Sequence, residues 1–302
     1  MAVAEPLSEL SIPSRAFVLG LADAEGFLDA GALYGAAGAV GLTSTTVRLT
    51  LRRLVDADLL TLEGRGRAAV AQLTPAGLAE RDVDLSWVAA RHRVDAGLEP
   101  WDGRWHLVGF EIPESQRAVR DQLREAIVDM FGAPLAGGLY LSPWPIKPWL
   151  TSIIDEHRVA DRVSFITADV VEVGGDHEPE AIAASVWQLA DLEADYRAFV
   201  ERWAPAIAAP PTGAGAVRAA FEASAEIEEL WRRDPVVPLE LDPAPAGIEA
   251  RSTYRALLGE LRSEPVIASA NVFGAYEAAI ERALAQSRAA FWAAALRPTS
   301  AR

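Results

Sequence analysis

The chain has no cysteine, a single lysine at Lys147, two methionines and four histidines among 302 residues. Without cysteine it has no disulfide framework, no thiolate nucleophile and no thiolate metal site. His92, His106, His157 and His177 are scattered without metal-ligand spacing. No Gly-x-Ser-x-Gly elbow occurs. Gly213-Ala214-Gly215 lacks both the third glycine and the preceding strand of a dinucleotide fingerprint, and reads as a hinge. The opening MAVAEPLSELSIPSR has no basic start followed by an apolar core, and no uninterrupted apolar run approaches membrane-spanning length. The cytoplasm is the expected compartment. Neither a metal nor another cofactor is expected, no internal repeat is evident, and alanine is the only compositional bias.

What is present is acid and apolar bulk. Formal net charge is -15, the pI is about 4.8, and 51% of residues are hydrophobic. Such a chain buries a core, and its length suits two or three domains. A strongly anionic surface argues against nonspecific nucleic-acid coating, so any DNA contact has to be local.

One stretch supplies a local cationic edge: Leu42 to Leu73, LTSTTVRLTLRRLVDADLLTLEGRGRAAVAQL. Val47, Leu51, Leu54 and Val55 fall at offsets of four, seven and eight, one apolar stripe of a helix, with Ser44, Thr45, Arg48 and Arg52 on the other face. Thr43 is suited to N-cap this helix, and its end is expected near Ala57. Two β-type runs follow, Leu60–Leu62 and Ala69–Leu73, joined by Gly64-Arg65-Gly66-Arg67. Helix, hairpin and basic tip together suggest a winged helix-turn-helix. The polar helix face then enters a major groove, and Arg65 and Arg67 reach the backbone or minor groove. A plain amphipathic helix with an ordinary hairpin and solvated arginines fits the same residues.

The rest of the chain divides by pattern. Residues 1–12 read as a loose arm; helices are expected from Pro13-Ser14 through Ala22 and from about Asp29 to Val40. Thr74-Pro75 opens a connecting helix to about His92. A new unit begins at Trp101: a strand Trp105–Ile112, a helix Ser115–Phe131 with Val119, Leu123, Ile127 and Met130 in register, two short strands around Gly137-Gly138, a helix from about Pro148 to Glu156, and a strand in RVSFITADVVEV. That order is the ferredoxin-like pattern. From Pro179 the sequence is helical, interrupted by PAIAAPPTGAG and by the Pro-rich RRDPVVPLELDPAPAG, with closing helices about Ser252–Arg262 and Val272–Leu296. The expected fold is α+β: a winged helix over 1–80, a connecting helix and linker over 81–100, a ferredoxin-like domain over 101–177 and a helical domain over 178–302.

VRLTLRRLVDADLL with GRGRAAVAQLTPAG, WDGRWHLV, GGLYLSP, YRAFVERW and RRDPVVPLEL occur in the order and spacing that resemble the PaaX family of bacterial transcriptional regulators, from Ser14 to about Arg288. The resemblance implies a winged helix, a central Cas2-like ferredoxin domain, a helical C-terminal domain, a homodimer, and repression relieved by an aryl-CoA thioester such as phenylacetyl-CoA. It implies a regulator and not an enzyme, with double-stranded DNA carrying an inverted repeat as partner. Arg48 and Arg53 match the family's VRxxLxRL helix, and Arg65 and Arg67 its basic wing. Arg52 stands where the family usually has a small polar residue, and DPAPAG lacks the tryptophan often found before the corresponding Pro-Gly.

A CoA thioester needs arginines for its phosphates and an apolar or aromatic pocket for its acyl end. Arg232, Arg233 and Arg251 flank the Pro-rich segment, with Trp187, Tyr196, Trp203 and Trp231 as candidate aromatics. The same residues also read as core aromatics beside arginines paired with Glu228, Glu229 or Asp234. Two other functions are weighed: a metal-dependent nuclease using Glu111 after the first central strand, and a winged helix that binds protein.

Overall fold

A computed structural model describes residues 13–64, 66–242, 245–270 and 273–295; the expected N-terminal arm and Arg65 lie outside them. The chain separates into two compact units. One draws on Met1–Val88, Asp195–Arg232 and Gly247–Arg282, the other on Ala89–Ala194, Arg233–Ala246 and Ala283–Arg302. The helices after Pro179 therefore contribute to both.

The first unit begins with α1 (Ser14–Gly20), β1 (Phe27–Asp29), α2 (Ala30–Ala37), a short 3-10 turn and α3 (Ser44–Asp56), followed by β2 (Leu60–Glu63) and β3 (Val70–Leu73). All pairings are antiparallel and the sheet order is β1-β3-β2, with Leu28 and Leu62 both opposite Ala71. This order and pairing are consistent with a winged helix-turn-helix. Phe17, Val18, Leu28, Leu33, Val47, Leu51, Leu54 and Leu60 are buried in it. β1 is absent from the sequence expectations because three residues carry no readable alternation; the strand exists through its pairing with β3. The expected helix from Asp29 to Val40 is α2 plus the turn Gly38–Val40, with the Asp29 carboxylate accepting from the Ala32 amide at 2.7 Å.

α4 (Pro75–Asp95) starts where Thr74-Pro75 signals it. The Thr74 hydroxyl accepts from the Gly77 amide at 3.1 Å and donates to the Asp58 carbonyl at 2.6 Å, satisfying both roles at the helix start. Gly77 has to be glycine, since a β-carbon there would stand 2.1 Å from the Leu59 carbonyl oxygen.

In the second unit β4 (Trp105–Phe110), α5 (Arg117–Asp129), β5 (Ala133–Ala136), β6 (Leu139–Ser142), α6 (Lys147–His157) and β7 (Val163–Ala168) follow in order. The four strands pair antiparallel in the order β5-β6-β4-β7, the ferredoxin-like arrangement expected from the sequence. Central strand β4 is covered on both faces. Val108 joins Leu123, Ile127, Leu150 and Ile154 on the α5/α6 side, whereas Trp105 and Leu107 join Ile182, Leu189, Val237 and Leu241 on the other. That double burial is why the strand reads as a continuous apolar run.

The remaining helices are α7 (Pro179–Val186), α8 (Leu189–Ala208), α9 (Ala214–Arg233), α10 (Ala246–Leu261), α11 (Pro265–Ala270), α12 (Gly274–Ala285) and α13 (Arg288–Ala295). α10 begins six residues before the expected Ser252. The single closing helix expected over Val272–Leu296 is divided instead. Phe273 takes φ of 59° before α12, and the Ser287 hydroxyl accepts from the Ala290 amide at 3.3 Å to restart the chain as α13. Within the first unit, α1 packs on this helical part: Phe17 meets Phe221 at 4.9 Å between ring centroids, Phe221 meets Phe273 at 5.3 Å, and the Phe273 amide donates to the Gly20 carbonyl at 3.1 Å.

Candidate nucleic-acid interface

The helix pair at the centre of the first unit is set by its turn. Gly41 adopts φ of 72°, a left-handed conformation that glycine enters without strain, and the Leu42 amide donates back to the Ala37 carbonyl at 2.9 Å. Thr43 then caps α3, its Oγ1 accepting from the Thr46 amide at 3.1 Å and lying 2.9 Å from the Thr46 hydroxyl. Ala57 is the C-cap, as expected.

Packing of α3 corrects one expected core residue. Val47, Leu51 and Leu54 are buried, but Val55 is 38% exposed and Thr50 takes the fourth buried place. Thr50 is tolerated there because its hydroxyl is satisfied, with the Thr46 carbonyl at 3.0 Å and the Ser14 hydroxyl at 2.8 Å. Ser44, Thr45, Arg48, Arg52 and Arg53 are all exposed. Arg52 lies 3.8 Å from Asp56, one turn on, an exposed pair that holds it only loosely. Among the described residues, Arg48, Arg53 and Arg67 have no ion-pair partner. Arg67 is exposed in a 3-10 turn, Gly66–Ala68, between β2 and β3; the tip is wider than a two-residue hairpin turn. Arg65, the other expected wing cation, lies outside the described residues. Leu49, which hydropathy alone assigns to the core, is 47% exposed on the same face as the arginines.

The effector candidates fall into two groups. Arg232, Arg251, Tyr196, Trp203 and Trp231 belong to the first unit, Arg233 and Trp187 to the second. Arg251 is buried, with its guanidinium over the Tyr196 ring at 5.8 Å. Trp231 stacks on Tyr276 at 6.1 Å and meets Tyr254 edge-on at 6.0 Å. The Trp203 indole donates to Glu226 at 2.9 Å. Arg232 is exposed and ion-paired with Glu229. Trp187 stacks on Trp105 at 6.3 Å, which in turn meets Trp101 at 5.3 Å. Arg251 with Tyr196, and Trp231 with two tyrosines, are thus the groupings that the fold brings together. Burial pushes the Tyr254 and Tyr276 phenols well above the usual tyrosine range; Glu228 and Glu277 add to the effect on Tyr254, and the Ser224 hydroxyl, 2.8 Å from its oxygen, opposes it.

Carboxylates and histidines do not converge: among the described residues no group of three or more could hold a metal ion. Glu111 is exposed just beyond β4, its amide donating to the Arg162 carbonyl at 3.0 Å. His106 lies 2.9 Å from Asp102 and His157 2.8 Å from Gln122. No described helix is long and apolar enough to cross a membrane.

Strand order and helix placement define a ferredoxin-like domain in the second unit, in one chain with a unit whose strand order and pairing are consistent with a winged helix. Residues 98–183, from the turn before β4 into α7, match the PaaX protein central Cas2-like domain, the same family that the sequence motifs resemble. A solved structure, uncharacterized protein Rv0674 from Mycobacterium tuberculosis, matches over 87% of this chain and 99% of its own, with 21% identity and a TM-score of 0.56. At that identity the likeness is one of fold. No curated protein matches the sequence.

Proposed function

We propose that the chain is a ligand-responsive transcriptional regulator. It binds double-stranded DNA as a homodimer at an inverted repeat and represses an operon for breakdown of an aromatic or acyl-CoA compound. A CoA thioester such as phenylacetyl-CoA releases it. The observation that carries this reading is the exposed face of α3: three arginines and two hydroxyl residues in the helix-turn-helix position of a chain whose formal charge is -15. In an anionic molecule such an edge concentrates attraction for phosphate where a helix of major-groove width is presented, and arginine donates bidentately to guanine or phosphate.

The route from effector to DNA is supported by α9. Phe221 on α9 touches Phe17 of α1, while Trp231, ten residues on and about 15 Å along the same helix, sits in the Tyr254–Tyr276 cluster. A ligand bound at the Arg251 or Trp231 end that prefers one position of α9 biases α1, and with it α3. Arg251 supplies cationic character, and the aromatic cluster an apolar wall.

The test is retention of duplexes from the intergenic region beside the gene, challenged with phenylacetyl-CoA, other CoA thioesters and the free acids. The expected result is sequence-specific retention abolished by one thioester, which also raises the melting temperature of the free protein. Specific retention with no response to the panel contradicts the effector assignment; no specific retention contradicts the regulator.

A further inference from the structure

We infer that Leu49 is a specificity-determining residue that reads the methyl group of a thymine. The inference rests on the DNA-binding reading of α3 and names one of the contacts it makes.

α3 buries Val47, Thr50, Leu51 and Leu54. Opposite that stripe, Thr45, Leu49, Arg52 and Asp56 follow at offsets of four, seven and eleven, a single row along the side facing away from the core. Leu49 stands in the middle of the row, one turn after Thr45 and one turn before Arg52 and Arg53. It leaves 47% of its surface in water, next to groups that all carry charge or a hydroxyl. Single exposed leucines are ordinary on protein surfaces. The position is what distinguishes this one: a helix laid in the major groove with Arg48, Arg52 and Arg53 on phosphates or guanines carries Leu49 to the base edges between them.

A leucine has neither donor nor acceptor. Set against the amino or carbonyl edge of cytosine, adenine or guanine it strips water from polar groups and returns no hydrogen bond. Against thymine it meets the C5 methyl, the one apolar group among the four unmodified bases in the major groove. The side chain is therefore selective through exclusion as well as through contact. The Arg52–Asp56 pair, exposed and 3.8 Å across, is loose enough to leave the arginine able to reach a phosphate or base beside Leu49.

The experiment uses the full chain. A duplex is selected from a random-sequence pool by retention, and each thymine is replaced in turn by deoxyuridine, which lacks only the methyl. Binding is then compared between the parent and Leu49→Ala. We expect one thymine of the site whose loss of methyl weakens the parent about three- to fivefold, the scale for one buried methyl. Leu49→Ala binds the thymine and deoxyuridine duplexes equally. A penalty at no thymine, or one that persists undiminished in Leu49→Ala, overturns the assignment and leaves DNA binding standing. Failure to enrich any duplex overturns the DNA reading itself, and the role of Leu49 with it.

Discussion

The guanidinium of Arg93 and the carboxylate of Glu99 meet at 2.6 Å with side-chain exposures of 1% and 0%. Both ends of this buried pair are fully engaged. Arg93 also donates to the Gln286 carbonyl at 2.8 Å and to the Ala283 carbonyl, and lies over the Phe291 ring at 4.7 Å. Glu99 receives the Trp292 indole at 2.8 Å and Arg288 at 3.1 Å. The end of α4 is thereby joined to the start of α13.

Breaking that pair on one side leaves an uncompensated buried charge. Arg93→Met or Glu99→Leu alone should destabilise the second unit by about 3–5 kcal/mol, whereas the double replacement should cost much less than the sum. Urea unfolding of the four proteins checks this. Additive losses would mean that the two side chains act independently.

The start of α3 should respond to its cap. Thr43→Ala removes the acceptor of the Thr46 amide and should cost about 1 kcal/mol, and Thr43→Asp should restore it. Leu51→Ala, in the buried stripe, should cost about 2–5 kcal/mol in the same denaturation assay. Equal effects at the two positions would contradict the burial pattern.

Tyr254 and Tyr276 make the first unit sensitive to alkali. Their phenols are held protonated by burial while an unfolded tyrosine ionises near 10.0. Below that pH both states carry the proton and no stability is lost. Above it only the unfolded state gives the proton up, so stability falls by about 1.4 kcal/mol per pH unit for each such tyrosine. Melting temperatures between pH 8 and 11 should drop steeply past 10, and Tyr254→Phe should make the decline shallower. An unaltered decline would place the sensitivity elsewhere.

Changing Arg65 and Arg67 to Ala should weaken binding to all duplexes alike and flatten its salt dependence by about one phosphate for each arginine removed. An unchanged slope removes the wing from the interface.

The ferredoxin-like pattern is legible because its strands and helices are short, amphipathic or doubly buried, and several are bounded by glycine or proline, as at Pro113 and Gly137-Gly138. The cap at Thr43 and the start at Thr74-Pro75 were legible for the same local reason. What the sequence hid is decided by tertiary pairing. β1 is three residues given strand form by β3, and Thr50 displaces Val55 from the core because Ser14 offers its hydroxyl a partner. Periodicity marks where helices run after Pro179, but not which earlier surface each one covers; α1 meets α9 through Phe17 and Phe221, residues far apart in the sequence. Arg251, Tyr196 and Trp231 stand out in the sequence as residue types around a Pro-rich segment, but only the fold sets Arg251 over Tyr196 and brings Tyr276, which no sequence pattern marks, onto Trp231.

The most direct measurement is the affinity of the chain for duplex DNA as a function of salt, for the parent and for the triple variant Arg48→Ala, Arg52→Ala, Arg53→Ala. The account predicts specific retention by the parent with a steep slope of log affinity against log salt. In the variant it predicts a shallower slope, with specificity reduced by about 1–3 kcal/mol for each base that an arginine no longer reads. Retention and slope unchanged in the variant, or no specific retention by the parent, would contradict it.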